Sequence, residues 1–264
     1  MAELAQRNAI ELVNVYKSFG AQHVLRGVDL VVPTGTTCVL LGVSGSGKTV
    51  LMKHIDGLLR PDRGSVRVDG EDLAWLDAAG LERVRRKLGI LFQGGALFDS
   101  LTVEDNVAFP LRERLHLVER EVRERVQRVL ALVGLEEAAK QLPGELSGGM
   151  LKRAAFARAV VLEPKILLYD DPTAGLDPLR TQTVVDVILT GKHRLHASGL
   201  VISPDVASAF QVADSLALLH EGRIVEHAPP ESFRQSQHPA VQAFLHDWLS
   251  RRAHASGRSP PLRS

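Results

Sequence analysis

The chain of 264 residues has a single cysteine, Cys38, so no internal disulfide framework can form and a reducing compartment is expected. It has no apolar run near the ~20 residues needed to cross a bilayer. One candidate, Ile166 to Tyr169, is stopped by Lys165 and Asp170. The segment Met1 to Asn8 has no apolar stretch of the kind a secretory leader carries, and none is expected. Net charge is nearly absent as well: 32 basic and 31 acidic residues leave +1, which points to no polyanionic partner. Internal repeats are missing too. What is present is ordinary for a globular protein. With 45% hydrophobic and 24% charged residues, disorder is excluded over most of the length and a sizeable core can be buried. Any role at a membrane must then run through a partner.

Hydropathy patterning changes along the chain. Ile10 to Val15 alternates like a half-buried strand, and Asp29 to Val32 reads as a second strand stopped by Pro33-Thr34-Gly35. Cys38 to Leu41 fits a strand buried on both faces. Thr49 to Leu59 reads as a helix, and Val66-Arg67-Val68 with Asp69-Gly70 as a hairpin edge. From about Glu104 to Leu162 the pattern is helical. Glu119 to Val133 carries Val122, Val126, Val129, Leu130 and Val133 on one face, and Met150 to Leu162 is a second helix. Strand character returns at Ile166–Tyr169, Leu200–Ile202 and Leu216–Leu219. A helical segment inserted into an α/β core explains this order better than two independent domains. From Arg251 the chain is aperiodic, with Arg, Ser, Gly and Pro, and a mobile or partner-dependent tail is expected.

Gly42-Val43-Ser44-Gly45-Ser46-Gly47-Lys48-Thr49 satisfies G-x-x-x-x-G-K-[ST] in full, after a buried strand and before a helix. Glycines there let the backbone wrap a phosphate and aim successive N–H groups at it, and the helix start adds its positive end. Lys48 would reach the β- and γ-phosphates, and the Thr49 hydroxyl would ligate Mg²⁺. Such a loop needs a carboxylate to hold the metal. Asp170, at the end of an apolar strand, stands at the sheet edge where ligands bind in open α/β folds. A second anion-binding helix start is Leu146-Ser147-Gly148-Gly149-Met150, with Ser147 as N-cap. Two phosphate devices in one mononucleotide domain make sense if the second completes a site on another chain.

This set resembles the ATP-binding cassette ATPases of ABC transporters, over roughly Ala9 to Trp248. The resemblance implies a P-loop NTPase fold: a RecA-like α/β core, an antiparallel β subdomain and an inserted α-helical subdomain. It implies a cassette over 8–250, with the helical subdomain at about 94–163, and a tail over 251–264. ATP and Mg²⁺ would be the ligands. The nucleotide would meet Gly42 through Val50 of one subunit and Ser147, Gly148 and Gly149 of another. Phe19 matches the aromatic on which adenine stacks, with Tyr16 as the alternative. Gln93 matches the glutamine that touches Mg²⁺, joins the catalytic set and couples to the membrane partner. Ala174-Gly175-Leu176-Asp177 matches the loop that crosses between two cassettes.

The segments Leu91–Val103 and Asn106–Glu113, with Met150 after the Leu-Ser-Gly-Gly run, are similar to the ATPases of Mla/Mkl-type lipid transporters. That likeness implies a cassette dimer, a homodimer first, on the inner face of the cell inner membrane. Its partners would be a MlaE-like permease, an MCE-type lipid-binding protein and a small STAS-type subunit, with no nucleic acid. Two positions depart from the family. Asp171 stands where a glutamate usually polarises the attacking water, and Pro204 stands at the switch-histidine position. Proline offers neither a side-chain donor nor a backbone N–H. The alternative to a working ATPase is therefore a weakly or non-hydrolysing, nucleotide-gated regulatory subunit. The run Arg83 to Lys87 is expected to be a solvated face near the permease. His193 and His196 are expected to be solvated, and Cys38 inert.

Overall fold

A computed structural model describes residues 8–115, 117–176 and 178–255. In chain order the elements are β1 (Asn8–Phe19), β2 (Gln22–Pro33), β3 (Thr37–Leu41), α1 (Lys48–Ile55), β4 (Arg63–Val68), β5 (Glu71–Asp72), α2 (Ala78–Arg85), β6 (Leu88–Leu91), α3 (Val103–Arg114), α4 (Glu119–Val133), α5 (Gly148–Val160), β7 (Ile166–Asp170), α6 (Pro178–Arg194), β8 (Ser198–Ile202), α7 (Val206–Val212), β9 (Ser215–His220), β10 (Arg223–Ala228), α8 (Pro230–Arg234) and α9 (Pro239–Ala255).

The strands make two sheets. One has the order β10-β9-β3-β8-β7-β6, parallel from β9 to β6 with β10 antiparallel at its edge. All five residues of β3 and of β8 are buried, as continuous apolar runs require when both faces of a parallel sheet are covered. The other sheet, β2-β1-β4-β5, is antiparallel. Its hairpin from β4 to β5 turns through Asp69 and Gly70, both at positive φ, at the pair the sequence marks. Ile10, Leu12 and Leu30 of this sheet share a core with Leu51 and Ile55 of α1 and with Leu168 and Leu200 of the parallel sheet.

Between β6 and β7, which pair directly, the chain runs through α3, α4 and α5. Thr102 caps α3, its hydroxyl accepting from Asp105 N at 3.2 Å. Helix α4 has the boundaries the sequence predicts and buries Val122, Val126, Leu130 and Val133. These three helices join a second core that reaches Val39, Leu41 and Tyr169 on the other face of the parallel sheet. Two stretches differ from expectation. Helix α1 stops at Ile55 rather than Leu59, because Asp56 Oδ1 accepts from Leu58 N and Gly57 takes positive φ. The last helix continues past Arg251 to Ala255, since the breakers begin only at Gly257. The expected N-terminal stretch Met1–Arg7, Asp177 of the crossing loop and tail residues 256–264 lie outside the described residues. No helix among the described residues is long and apolar enough to cross a membrane.

Candidate functional site

Parallel order brings the carboxyl ends of β3, β8 and β7 to one edge, and the loops after them carry the predicted site residues. After β3 comes the loop from Gly42 to Gly47. Gly42 has φ 154°, and a Cβ there would lie 2.7 Å from the Leu219 carbonyl oxygen, so the first turn of the loop requires glycine. Lys48, 9% exposed, folds its ammonium back onto the loop, donating to the Gly42 and Val43 carbonyls at 2.8 Å each and to Ser46 Oγ at 3.4 Å. Gly47 stands at the N-cap of α1 with no side-chain cap, so the first amides of that helix have no side-chain acceptor there. Thr49 Oγ1 donates to Asp170 Oδ1 at 3.4 Å. Val50 follows on α1, half-buried.

Burial shapes the charges of this edge. It raises the Asp170 carboxyl, against the Thr49 hydrogen bond and the charges of Lys48 and Lys53. It raises Asp171 too, opposed by Lys48 and Lys152 and reinforced by Asp170 and Asp205. It lowers Lys48, opposed by Asp171 and Asp170. Asp171 takes φ 44°, its N–H donating to the Ile202 carbonyl at 2.9 Å, and its Oδ1 is buried without a hydrogen-bond partner. Two half-buried carboxyls raised by burial, beside a lysine whose partners are all neutral oxygens of its own loop, suit a cation bound together with a polyanion. Among the described residues no group of three or more His, Cys, Asp or Glu side chains could hold a metal by itself.

After β8 the chain passes Ser203, Pro204 and Asp205. The buried Ser203 hydroxyl accepts from Asp205 N at 3.0 Å and lies 3.3 Å from Thr173 Oγ1. Pro204 is exposed. Asp205 caps α7, accepting from Ala207 N and Ser208 N. Gln93 follows β6 with its side chain exposed, and its carbonyl accepts from the Lys152 ammonium of α5. Sequence reasoning passes over Lys152. Only the packing of α5 beside that loop brings it there.

Two predicted groups stand further out. Phe19 ends β1, 47% exposed, with the Lys17 ammonium 5.6 Å from its ring. Tyr16, the alternative, has its hydroxyl against Gly27. A cavity of about 280 Å³ joins Gln22, His23 and Val24 of β2 to Gly45 and Ser46, so the hairpin beyond Phe19 faces the loop after β3. Ser147 caps α5, its hydroxyl accepting from Met150 N at 3.3 Å. With Gly149 it opens onto a separate cavity beside Arg153 and Thr183. The structure thus collects Gly42 to Thr49, Asp170, Asp171 and Pro204 at one edge and leaves Ser147 to Gly149 on another surface.

The structure also gives the minor expectations. Arg83 and Lys87 of the basic run are paired with Glu71, and Lys87 with Asp69 as well. His193 and His196 are exposed. Burial pushes the Cys38 thiol up to about 12. A groove of about 460 Å³ beside Gln93 is lined by Leu58, Phe92, Phe98, Phe109 and Arg158.

Comparison with known proteins identifies the family. Residues 25–174, more than half of the chain, match the family described as ABC transporter. The chain is 44% identical over 237 residues to the probable ribonucleotide transport ATP-binding protein mkl of Mycobacterium tuberculosis, covering 90% of this chain. It spans 66% of that relative's length, just under two thirds. It is 38% identical over 239 residues to the intermembrane phospholipid transport system ATP-binding protein MlaF of Haemophilus influenzae, covering 90% of each. Among solved structures it resembles the dimeric ATP-binding cassette MJ0796 bound to ADP and Pi, with a TM-score of 0.73 and 30% identity over 84% of this chain and 98% of that one.

Proposed function

This chain belongs to the ABC transporter family, and from that premise we propose that it is the ATP-binding and ATP-hydrolysing subunit of a transporter that moves phospholipid or related lipids between membranes. The observation that carries the proposal is the juxtaposition of Lys48, Thr49 and Asp170 at one sheet edge. In this reading the amides from Gly42 to Thr49 cradle the phosphates, and Lys48 exchanges the Gly42 and Val43 carbonyls for phosphate oxygens. Phe19 stacks on adenine. Thr49, Asp170 and Gln93 would hold Mg²⁺, which when bound screens the phosphate charge. Burial raises the Asp170 carboxyl, and a dication bound there would favour its ionised form. Asp171 orients the attacking water, and Ser147, Gly148 and Gly149 of a second copy close over the nucleotide.

Membrane coupling would use the aromatic groove beside Gln93 as the seat of a MlaE-like permease, with the cassette on the inner face of the inner membrane. An MCE-type lipid carrier and a small STAS-type subunit complete the proposed assembly. The names of the relatives disagree on cargo. The mycobacterial one is named for ribonucleotide transport and the Haemophilus one for phospholipid transport, and the latter is matched along 90% of its length. The test is a reconstituted complex with its permease. ATP-dependent lipid transfer between membranes supports the proposal. ATP-dependent movement of ribonucleotides instead would overturn the cargo, and failure to bind ATP would overturn the whole.

A further inference from the structure

Resting on the reading above, we propose that Lys17 and Asp62 are positioning residues for Phe19, locking the end of the β1–β2 hairpin to the segment after α1 and so fixing where the base of the nucleotide can stack. The lock is a set of hydrogen bonds. The Lys17 ammonium donates to Asp62 Oδ1 at 2.8 Å and to the Arg60 carbonyl at 2.9 Å. Asp62 Oδ2 accepts from Ser18 N at 2.7 Å, and Asp62 N donates to the Tyr16 carbonyl at 2.9 Å. Tyr16, Lys17 and Ser18, the residues that lead into Phe19, are thus all held by Arg60 and Asp62. An exposed ion pair alone contributes little, and the Asp62 side chain is 43% exposed. What this carboxylate adds is direction, because it grips a side chain with one oxygen and a backbone N–H with the other.

Phe19 needs such support. The β1–β2 ladder shifts register between Lys17 and Ser18, where strand pairing by itself fixes the following side chain least. The Phe19 ring is 47% exposed, with the Lys17 ammonium 5.6 Å from its centroid. Its pairing partner Gln22 lines the cavity shared with Gly45 and Ser46. On the other side, the segment that carries Asp62 is fastened to α1. Leu59 N donates to the Lys53 carbonyl at 2.7 Å, and Leu58 N to Asp56 Oδ1 at 2.9 Å. That helix begins at Lys48. One chain of contacts therefore sets the separation between the stacking ring and the phosphate loop.

The experiment titrates the whole chain in its complex, with Mg²⁺, against two ligands by calorimetry. One is ATP; the other is inorganic tripolyphosphate, which has the phosphates without the base. The variants are Phe19→Ala, Lys17→Met, Asp62→Asn, and Phe19→Ala combined with Lys17→Met. Expected are ATP affinities about 3- to 10-fold lower for Lys17→Met and Asp62→Asn, tripolyphosphate affinity within about 2-fold of wild type, and no further loss when Lys17→Met is added to Phe19→Ala. A role in folding alone would not split the two ligands. Wild-type ATP affinity in Lys17→Met, equal loss for both ligands, or losses that add fully in the double variant each overturns the proposal. Tripolyphosphate binding also shows that a variant has folded, and Lys17→Met decides the matter if Asp62→Asn does not fold. Failure of the underlying reading is distinguishable, because ATP would then bind Phe19→Ala as tightly as wild type, or not bind the wild type at all.

Discussion

Thr49 and Asp170 stand 121 residues apart in the chain, yet the Thr49 hydroxyl donates to Asp170 Oδ1 at 3.4 Å. The contact exists because β3 and β7 both flank β8 in parallel, so their carboxyl ends share one edge. Neither residue's neighbours in sequence would bring it there. The expected roles of Lys48, Thr49, Asp170 and Asp171 depend on that shared edge.

Lys48 belongs to it. It donates to two loop carbonyls at 2.8 Å, so its removal leaves the buried Gly42 carbonyl without that donor and should cost about 1–3 kcal/mol of stability. Lys48→Ala is expected to lower ATP affinity by about 10- to 100-fold, the worth of a charge-assisted hydrogen bond, with an unchanged circular dichroism spectrum. Calorimetric titration with ATP checks it.

Asp171 and Pro204 should set the speed. An aspartate is about one methylene shorter than glutamate, and displacement by ~1 Å can cost on the order of 10²-fold. Pro204 itself supplies no donor in place of the histidine, and the buried Ser203 hydroxyl accepts the Asp205 N–H and lies 3.3 Å from Thr173 Oγ1. Asp171→Glu with Pro204→His should raise phosphate release by roughly 10- to 100-fold at similar ATP affinity. Asp171→Asn should abolish release and keep binding. No gain in the double variant would mean that the surrounding structure has already compensated.

Much of this was legible in the sequence, for physical reasons. Local chemistry writes itself locally: the glycine loop between β3 and α1, the Ser147 cap and the amphipathic face of α4 all depend on residues within a few positions of one another. Strand β6 was not legible, because Leu88-Gly89-Ile90-Leu91 is four residues long and its pairing with β7 comes from 75 or more residues away. Nor was Lys152. Its bond to the Gln93 carbonyl spans 59 positions and reads in sequence as one more charge on a helix. The long helix α6, with Thr181, Gln182, Thr183 and Asp186 among its apolar residues, has too weak an alternation to stand out.

Gly64 makes a demand of its own. It has φ +90°, and a Cβ there would lie 2.3 Å from the Asn14 carbonyl oxygen and 2.5 Å from that of Val13. Backbone atoms cannot turn aside, so β4 would have to part from β1. Gly64→Ala should cost more than about 3 kcal/mol. Gly20→Ala, at φ +58° with open space around it, should cost only about 1 kcal/mol of left-handed strain. Urea unfolding of the two variants compares them directly.

Asp69 links the β4–β5 turn to the parallel sheet through Lys87 at 2.7 Å and Lys165 at 3.0 Å. Burial alone would raise its carboxyl, but the two lysine hydrogen bonds outweigh it and the net shift is downward. A carboxylate with a lowered folded pKa stabilises above its ordinary 3.8, and the contribution is lost as pH falls below that. Asp69→Asn should therefore lower Tm by about 2–4 °C near pH 6, for a pair worth about 1 kcal/mol, and the gap should close toward pH 3. A gap that widens in acid would contradict the assignment.

The groove beside Gln93 offers the last and most external test. Phe98 and Phe109 meet at 4.8 Å between ring centroids, with the Arg158 guanidinium 5.4 Å over the Phe98 ring. Arg158 also donates to the Ala96 carbonyl, so the loop that carries Phe98 is pinned from below. Phe92, Phe98 and Phe109 nevertheless remain 42%, 43% and 38% exposed, and Leu58 is 62% exposed. Aromatic side chains held in place but left uncovered are what a tight partner contact is built from. If the permease seats here, Phe98→Ala removes one such anchor while leaving the phosphate loop untouched. Affinity for the permease should drop by about 30-fold, the cost of an aromatic hot spot, with ATP affinity unchanged. Pull-down of the permease by the cassette variant, beside calorimetry with ATP, separates the two effects. Undiminished capture would move the membrane contact to another face.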